Sequence, residues 1–192
     1  MSLDATELVV AGSGAIYRAP AGTTMPSDID NAPDAGAGWV NLGYTSEAGV
    51  KFTLSRNVNE VMGWQSYYPL RVVVTDIPTE IEAELLQWNN DTVTTAMGGG
   101  TFETQGGGVR YTPPEESYVD EFALVVDGED GGKKYRFWFD RVMVSDTVEF
   151  SFVRSNPVTL PVKVKVLEAT AGGEAWLFDT DDTSITPDPA SA

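Results

Sequence analysis

The chain has no cysteine and no histidine. Disulfides and thiolate metal sites are therefore excluded, and so are Cys-His and Ser-His-Asp nucleophile systems. Any enzyme built on this sequence would have to work with carboxylates, lysine, tyrosine or an oxygen-bound metal. Positive charge is also scarce: 12 Lys and Arg stand against 29 Asp and Glu, a formal charge of -17. A surface that acidic repels phosphate backbones and argues against sequence-reading DNA binding, while leaving open a wall past which DNA slides. The plainer reading of the charge is solubility. No apolar run approaches the roughly 18 residues that a membrane span needs, so no membrane partner is expected. The first residues carry no basic, apolar leader. What is present is enough apolar and aromatic side chain, 42% and 10% of 192 residues, to build one domain with a real core.

The hydrophobic pattern is mostly β. Val50, Phe52 and Leu54 alternate with Lys51, Thr53 and Ser55, a half-buried strand. Residues 70–75 form a nearly continuous apolar strand. Glu80, Glu82 and Glu84 alternate with Ile81, Ala83 and Leu85. That period of two favours a strand, although Ile81, Leu85 and Trp88 also fall at helical spacing. After a corner at Trp88–Asn89, the spacing predicts a short helix: Asn90 or Asp91 as cap, Val93, Ala96 and Met97 as its apolar stripe, Gly98 as its stop. Residues 120–126 and 134–143 read as two strands joined through DGEDGGK. Val148, Phe150 and Phe152 read as one face of a further strand, and Val162, Val164 and Val166 as another. Residues 25–38 and 101–118 read as loops, with a short strand at 109–112 inside the second. The expected organisation is an arm at 1–12, one β domain at 13–178 with a long connection at 56–68, and a flexible acidic tail at 179–192.

Little in the sequence points to chemistry. The stretches at 127–132 and 179–184 resemble calcium loops, but neither has the twelve-residue spacing with a terminal bidentate Glu. The glycine clusters lack nucleotide-binding context. No metal, cofactor or catalytic residue is expected. Two other features stand out. The connection at 56–68 carries Val58, Val61, Met62, Trp64, Tyr67 and Tyr68, more apolar surface than a solvated loop needs. It either folds back on its own core or docks on another chain. The stripe Glu80, Glu82, Glu84 points one way if the strand reading holds; it is either a solvated face, a set of cross-strand pairs with Lys163 and Lys165, or a functional wall.

Four motifs in order carry a resemblance: AIYRAPAGTTMP at 15–26, WVNLGYTSEAGV at 39–50, GWQS at 63–66 and QWNNDTV at 87–93, with a glycine triplet after the helix. Together they resemble the major tail protein, or tail tube protein, of long-tailed bacteriophages, over about residues 15–169. The resemblance implies a tail-tube-like β-sandwich or barrel with one short flanking α-helix. It also implies sixfold rings stacked into a tube that conducts the genome into the host. The implied partners are copies of the chain itself, a tape-measure protein and a tail terminator, with double-stranded DNA passing through without sequence-specific binding. On that reading the 56–68 connection reaches a neighbouring subunit, with Trp64, Tyr67 and Tyr68 as anchors. Glu80, Glu82, Glu84 and, less centrally, Glu149 face the lumen, where carboxylates would repel phosphates. Placement of these carboxylates on the outer surface, or in ion pairs, would defeat that assignment. The competing readings are a tail terminator or connector ring, which caps rather than polymerises, and a carbohydrate-binding β-sandwich.

Overall fold

The computed structural model describes residues 7–115 and 120–186. Parts of the expected arm (1–6), loop (116–118) and tail (187–192) lie outside them.

The centre is a long hairpin. Strand β9 (Glu121–Asp130) pairs with β10 (Lys133–Val144) from Lys133↔Asp130 onward. Sequence placed the connection across 127–133, but the ladder runs on until only Gly131 and Gly132 remain between the strands. Both have positive φ, 58° and 92°, the conformation a two-residue type I′ turn demands and glycine adopts without penalty. Strand β1 (Ser13–Pro20) pairs along the other edge of β9, and the two-residue β2 (Val40–Asn41) pairs β1. The register of β10 shifts between Phe139 and Val142, and its partner changes there. Before the shift it pairs β12 (Trp176–Thr180); after it, β11 (Leu160–Val166). Beyond β11 follow β6 (Thr79–Leu85) and β3 (Thr45–Leu54). All pairings are antiparallel. The eight-stranded sheet ends at β2 and β3, so it curls without closing into a barrel.

One face of this curled sheet holds the main core: Ile16, Leu85, Phe122, Phe139, Val142 and Leu160 are among its buried side chains. Phe52 of β3 stacks on Phe137 at 5.7 Å between ring centres and meets Trp176 edge-on at 5.6 Å, which joins the far edge of the sheet to its centre. The opposite face of β1, β9 and β10 has its own cluster of Ala19, Trp39, Ala123, Val125 and Trp138. Strand β9 is thus buried on both faces, which explains its unbroken apolar run. The segment expected as a surface loop, 25–38, is mostly exposed and packs Met25 against this second cluster. The Arg136 guanidinium ties it down, with two bonds of 2.7 Å to Asp127 and further donations to the carbonyls of Asp28 and Asn31.

Helix α1 (Asn90–Ala96) packs its buried Thr92, Thr95 and Ala96 on the sheet beside β11. Its cap is Asn89, one residue before the expected position. Asn89 accepts from the Thr92 N–H while Thr92 accepts from the Asn89 N–H, a reciprocal capping box. Residues 101–112, read from sequence as loop with one short strand, form a full hairpin. Strands β7 (Thr101–Gln105) and β8 (Gly108–Thr112) are joined by Gly106–Gly107 at positive φ. The strand expected at 148–152 does not form: both edges of β11 are taken, and residues 145–159 run beside the start of β3 without pairing into the sheet.

At the carboxyl end, order extends past the expected domain limit at 178. β12 ends at Thr180, and Asp182 is buried, accepting from the Tyr135 hydroxyl at 2.7 Å and pairing with the Lys133 ammonium at 2.8 Å.

Candidate functional site

Between the last residue of β3 and the first of β6 the chain leaves the sheet. It forms a separate ribbon of β4 (Asn57–Val61) and β5 (Arg71–Asp76), antiparallel, with Val58 opposite Val74 and Val61 opposite Arg71. The expectation of a long loop at 56–68 followed by an independent strand is thereby corrected: both belong to one hairpin. Its base is held by Asn57 Nδ2 donating to Asp76 at 2.8 Å and the Ser55 N–H donating to the Pro78 carbonyl at 3.0 Å. Its tip is shaped by the Ser66 N–H on the Gly63 carbonyl and by the Ser66 hydroxyl on the Tyr68 carbonyl.

Every residue of both strands is exposed. Val58, Val61, Met62, Trp64, Tyr67 and Tyr68 all lie on this hairpin and none reaches the core; Trp64 is 99% and Tyr67 100% accessible. The structure adds Leu70, Val72, Val73, Val74 and Ile77, also exposed. The run at 72–74 is apolar at successive positions, the pattern of a strand covered on both faces, yet among the described residues neither face is covered. A two-stranded ribbon without a covering layer is marginal in water. The sequence signal for Leu70 and residues 72–74 was the nearly continuous apolar strand at 70–75; Ile77, beyond it, carried none.

The acidic stripe lies as the strand reading requires. Glu80, Glu82 and Glu84 share the outward face of β6 while Ile81 and Leu85 are buried behind them. They are not alone there. One row across the sheet reads Lys51, Glu82, Lys163, and the next Thr53, Glu80, Lys165. Lys163 Nζ lies 3.2 Å from carboxylate oxygens of both Glu80 and Glu82, and Lys51 Nζ 3.0 Å from Glu82. Hydrogen bonds from Lys51 and Lys163 hold the Glu82 carboxyl below its ordinary value, and those to Glu82 and Glu80 raise Lys163. Glu80 and Glu82 are therefore paired charge rather than free charge.

Glu84 and Glu149 are brought together elsewhere, on the rim of an open groove of about 1260 Å³ between the start of β3 and residues 148–159. Beside it, Trp88 meets Phe150 edge-on at 5.2 Å and donates Nε1–H to the Val158 carbonyl at 3.0 Å. The alternating Val148, Phe150 and Phe152 thus serve an aromatic cluster rather than a strand.

The two acidic stretches that resemble calcium loops are occupied internally. Asp127 holds Arg136, Asp130 accepts from the Val10 N–H, and Asp182 holds Tyr135 and Lys133. Among the described residues no group of three or more Asp or Glu side chains is placed to hold a metal ion, and no helix is long and apolar enough to cross a membrane.

A family model described as "Phage tail tube protein" matches residues 1–191. No curated protein matches the chain.

Proposed function

The chain belongs to the phage tail tube protein family, a structural component of the virion and not an enzyme, and from that premise we propose that it polymerises through its β4–β5 hairpin into stacked, sixfold rings enclosing the channel through which the genome leaves. The observation that carries this reading is the hairpin itself: an apolar ribbon, exposed on both faces, projecting from a sheet whose own core is complete. Covering such a ribbon with a neighbouring copy removes apolar area from water, at roughly 25 cal/mol per Å² before the costs of association. On the same reading the open edges at β2 and β3 are where sheets of adjacent copies continue one another around the channel.

Low friction against DNA follows from the overall charge of -17. Glu80 and Glu82, held in ion pairs with Lys51 and Lys163, are not assigned to the channel wall. A tape-measure protein inside the tube and a terminator at its end are the further partners this reading implies.

Electron microscopy of the purified protein over rising concentration tests it. Hollow tubes that lengthen with concentration are expected. Isolated rings that never stack would favour a terminator or connector, and single subunits at all concentrations would refute assembly.

A further inference from the structure

We propose that the tip of the β4–β5 hairpin docks into the groove beside residues 148–159 of a second copy of this chain, with Arg71 facing the acidic rim. The proposal rests on the reading of the hairpin as an assembly element and names its receptor.

Charge complementarity is the first argument. Between Glu60 and Asp76 the only charged residue is Arg71, in a chain that is otherwise strongly acidic. The groove has the converse character. Its rim carries Glu47, Glu84 and Glu149, and among the described residues no Lys or Arg lines it. Its wall is apolar, with Leu86, Phe150 and Val153, and the Trp88–Phe150–Phe152 cluster stands beside it. Trp64, Tyr67 and Tyr68 at the tip are the residue type that seats in such a wall, and Arg71 at the neck meets the rim.

Position is the second argument. The hairpin leaves the sheet where Leu54 of β3 pairs with Thr79 of β6. The groove lies at the opposite end of the same two strands, where Thr45 pairs with Leu85. Seven residues of β6 separate the two, about 20 Å at a strand's rise. Donor and receptor therefore sit at opposite ends of one strand pair. Docking of one into the other is head-to-tail, the type of contact that repeats into rings or open filaments rather than stopping at a dimer. Glu84 and Glu149, expected from sequence to face a channel, take part in this contact instead.

The absence of native cysteine makes the test direct. Tyr67→Cys and Val153→Cys, both at exposed positions, are made as separate proteins, mixed under assembly conditions and oxidised. A disulfide-linked dimer that requires both proteins is expected. Val40→Cys, in the cleft beside α1, is the comparison receptor. Cross-linking of Tyr67→Cys to Val40→Cys, or to neither, overturns the groove. The hairpin reading would survive that result as long as the hairpin is still needed for tubes, and would fail separately if a variant lacking the tip aromatics polymerised normally. Charge reversal gives an independent arm. Arg71→Glu should raise the concentration needed for assembly about tenfold, and adding Glu149→Arg and Glu84→Arg should restore it. No recovery in the triple variant overturns the contact even if the cysteine proteins fail to assemble.

Discussion

Replacing Trp64, Tyr67 and Tyr68 together with alanine separates assembly from folding, because the structure assigns these rings almost no work within the subunit. Trp64 is 99%, Tyr67 100% and Tyr68 80% accessible. Surface changes of this kind move monomer stability by about 0.5 kcal/mol or less each. The summed effect, about 1.5 kcal/mol or less, shifts the melting temperature of a domain this size by about 6 °C or less. At an interface the same rings act as anchors worth about 2 kcal/mol each, with less than full additivity. A total near 4 kcal/mol raises the concentration for assembly about a thousandfold. The assay pairs thermal unfolding of the dilute monomer with sedimentation and negative-stain imaging over a wide concentration range. Normal tubes at the wild-type concentration would refute the assignment. A variant that no longer folds would show that the rings belong to the subunit's own core, against their exposure here.

The core and its ties give three further expectations. Leu85→Ala, at a fully buried position of β6, should cost about 3 kcal/mol, whereas Glu84→Ala on the outward face should change stability by about 0.5 kcal/mol or less; denaturant midpoints compare them. Asp127→Asn weakens the one carboxylate partner that the buried Arg136 has among the described residues while leaving its two carbonyl bonds, so a loss of about 2 kcal/mol is expected in urea unfolding, with no change expected for a merely solvated pair. The Tyr135 hydroxyl is pushed up to about 12 by its hydrogen bond to Asp182 and by burial, from an ordinary value of 10.0. A raised folded value means this stabilisation is whole below pH 10 and lost as pH rises toward 12. The Asp182 carboxyl is held well below its ordinary 3.8 by Lys133, Ser184 and Tyr135, so its share is present above pH 4 and lost only in strongly acid solution. Wild type and Tyr135→Phe should thus differ in urea midpoint from pH 5 to 9 and converge above pH 10; a difference unchanged up to pH 12 would contradict the bond.

Much of the sheet was legible because its strands obey a simple alternation. Ile81 and Leu85 against Glu80, Glu82 and Glu84 favour a strand over a helix and then give its facing, as do Val162 and Val164 against Lys163 and Lys165, and the two charged stripes pair across the strands. The alternation at Val148, Phe150 and Phe152 is equally good and yields no strand, since alternation describes side chains and does not itself supply the backbone pairing that makes a strand. Gly106–Gly107 looked like loop composition, but two glycines between short polar strands also make the tightest hairpin turn. The ties of Arg136 to residues 28 and 31, and of Asp182 to Tyr135, join positions far apart in the chain and leave no local signal. The candidate site was half legible. Its tip residues stood out as apolar side chains in a connection, while residues 70–75 were legible as an apolar strand but not as the second arm of the same hairpin, because strand pairing leaves no mark on composition.

The central claim is that the β4–β5 hairpin is finished only by another copy of the chain. Hydrogen exchange of its backbone amides, from Val58 to Val74, in the dilute monomer and in the assembled state tests this most directly. The account predicts fast exchange in the monomer, well ahead of the amides of β9 and β10, and strong protection on assembly. Equal protection in both states, or assembly that leaves the hairpin exchanging freely, would contradict it.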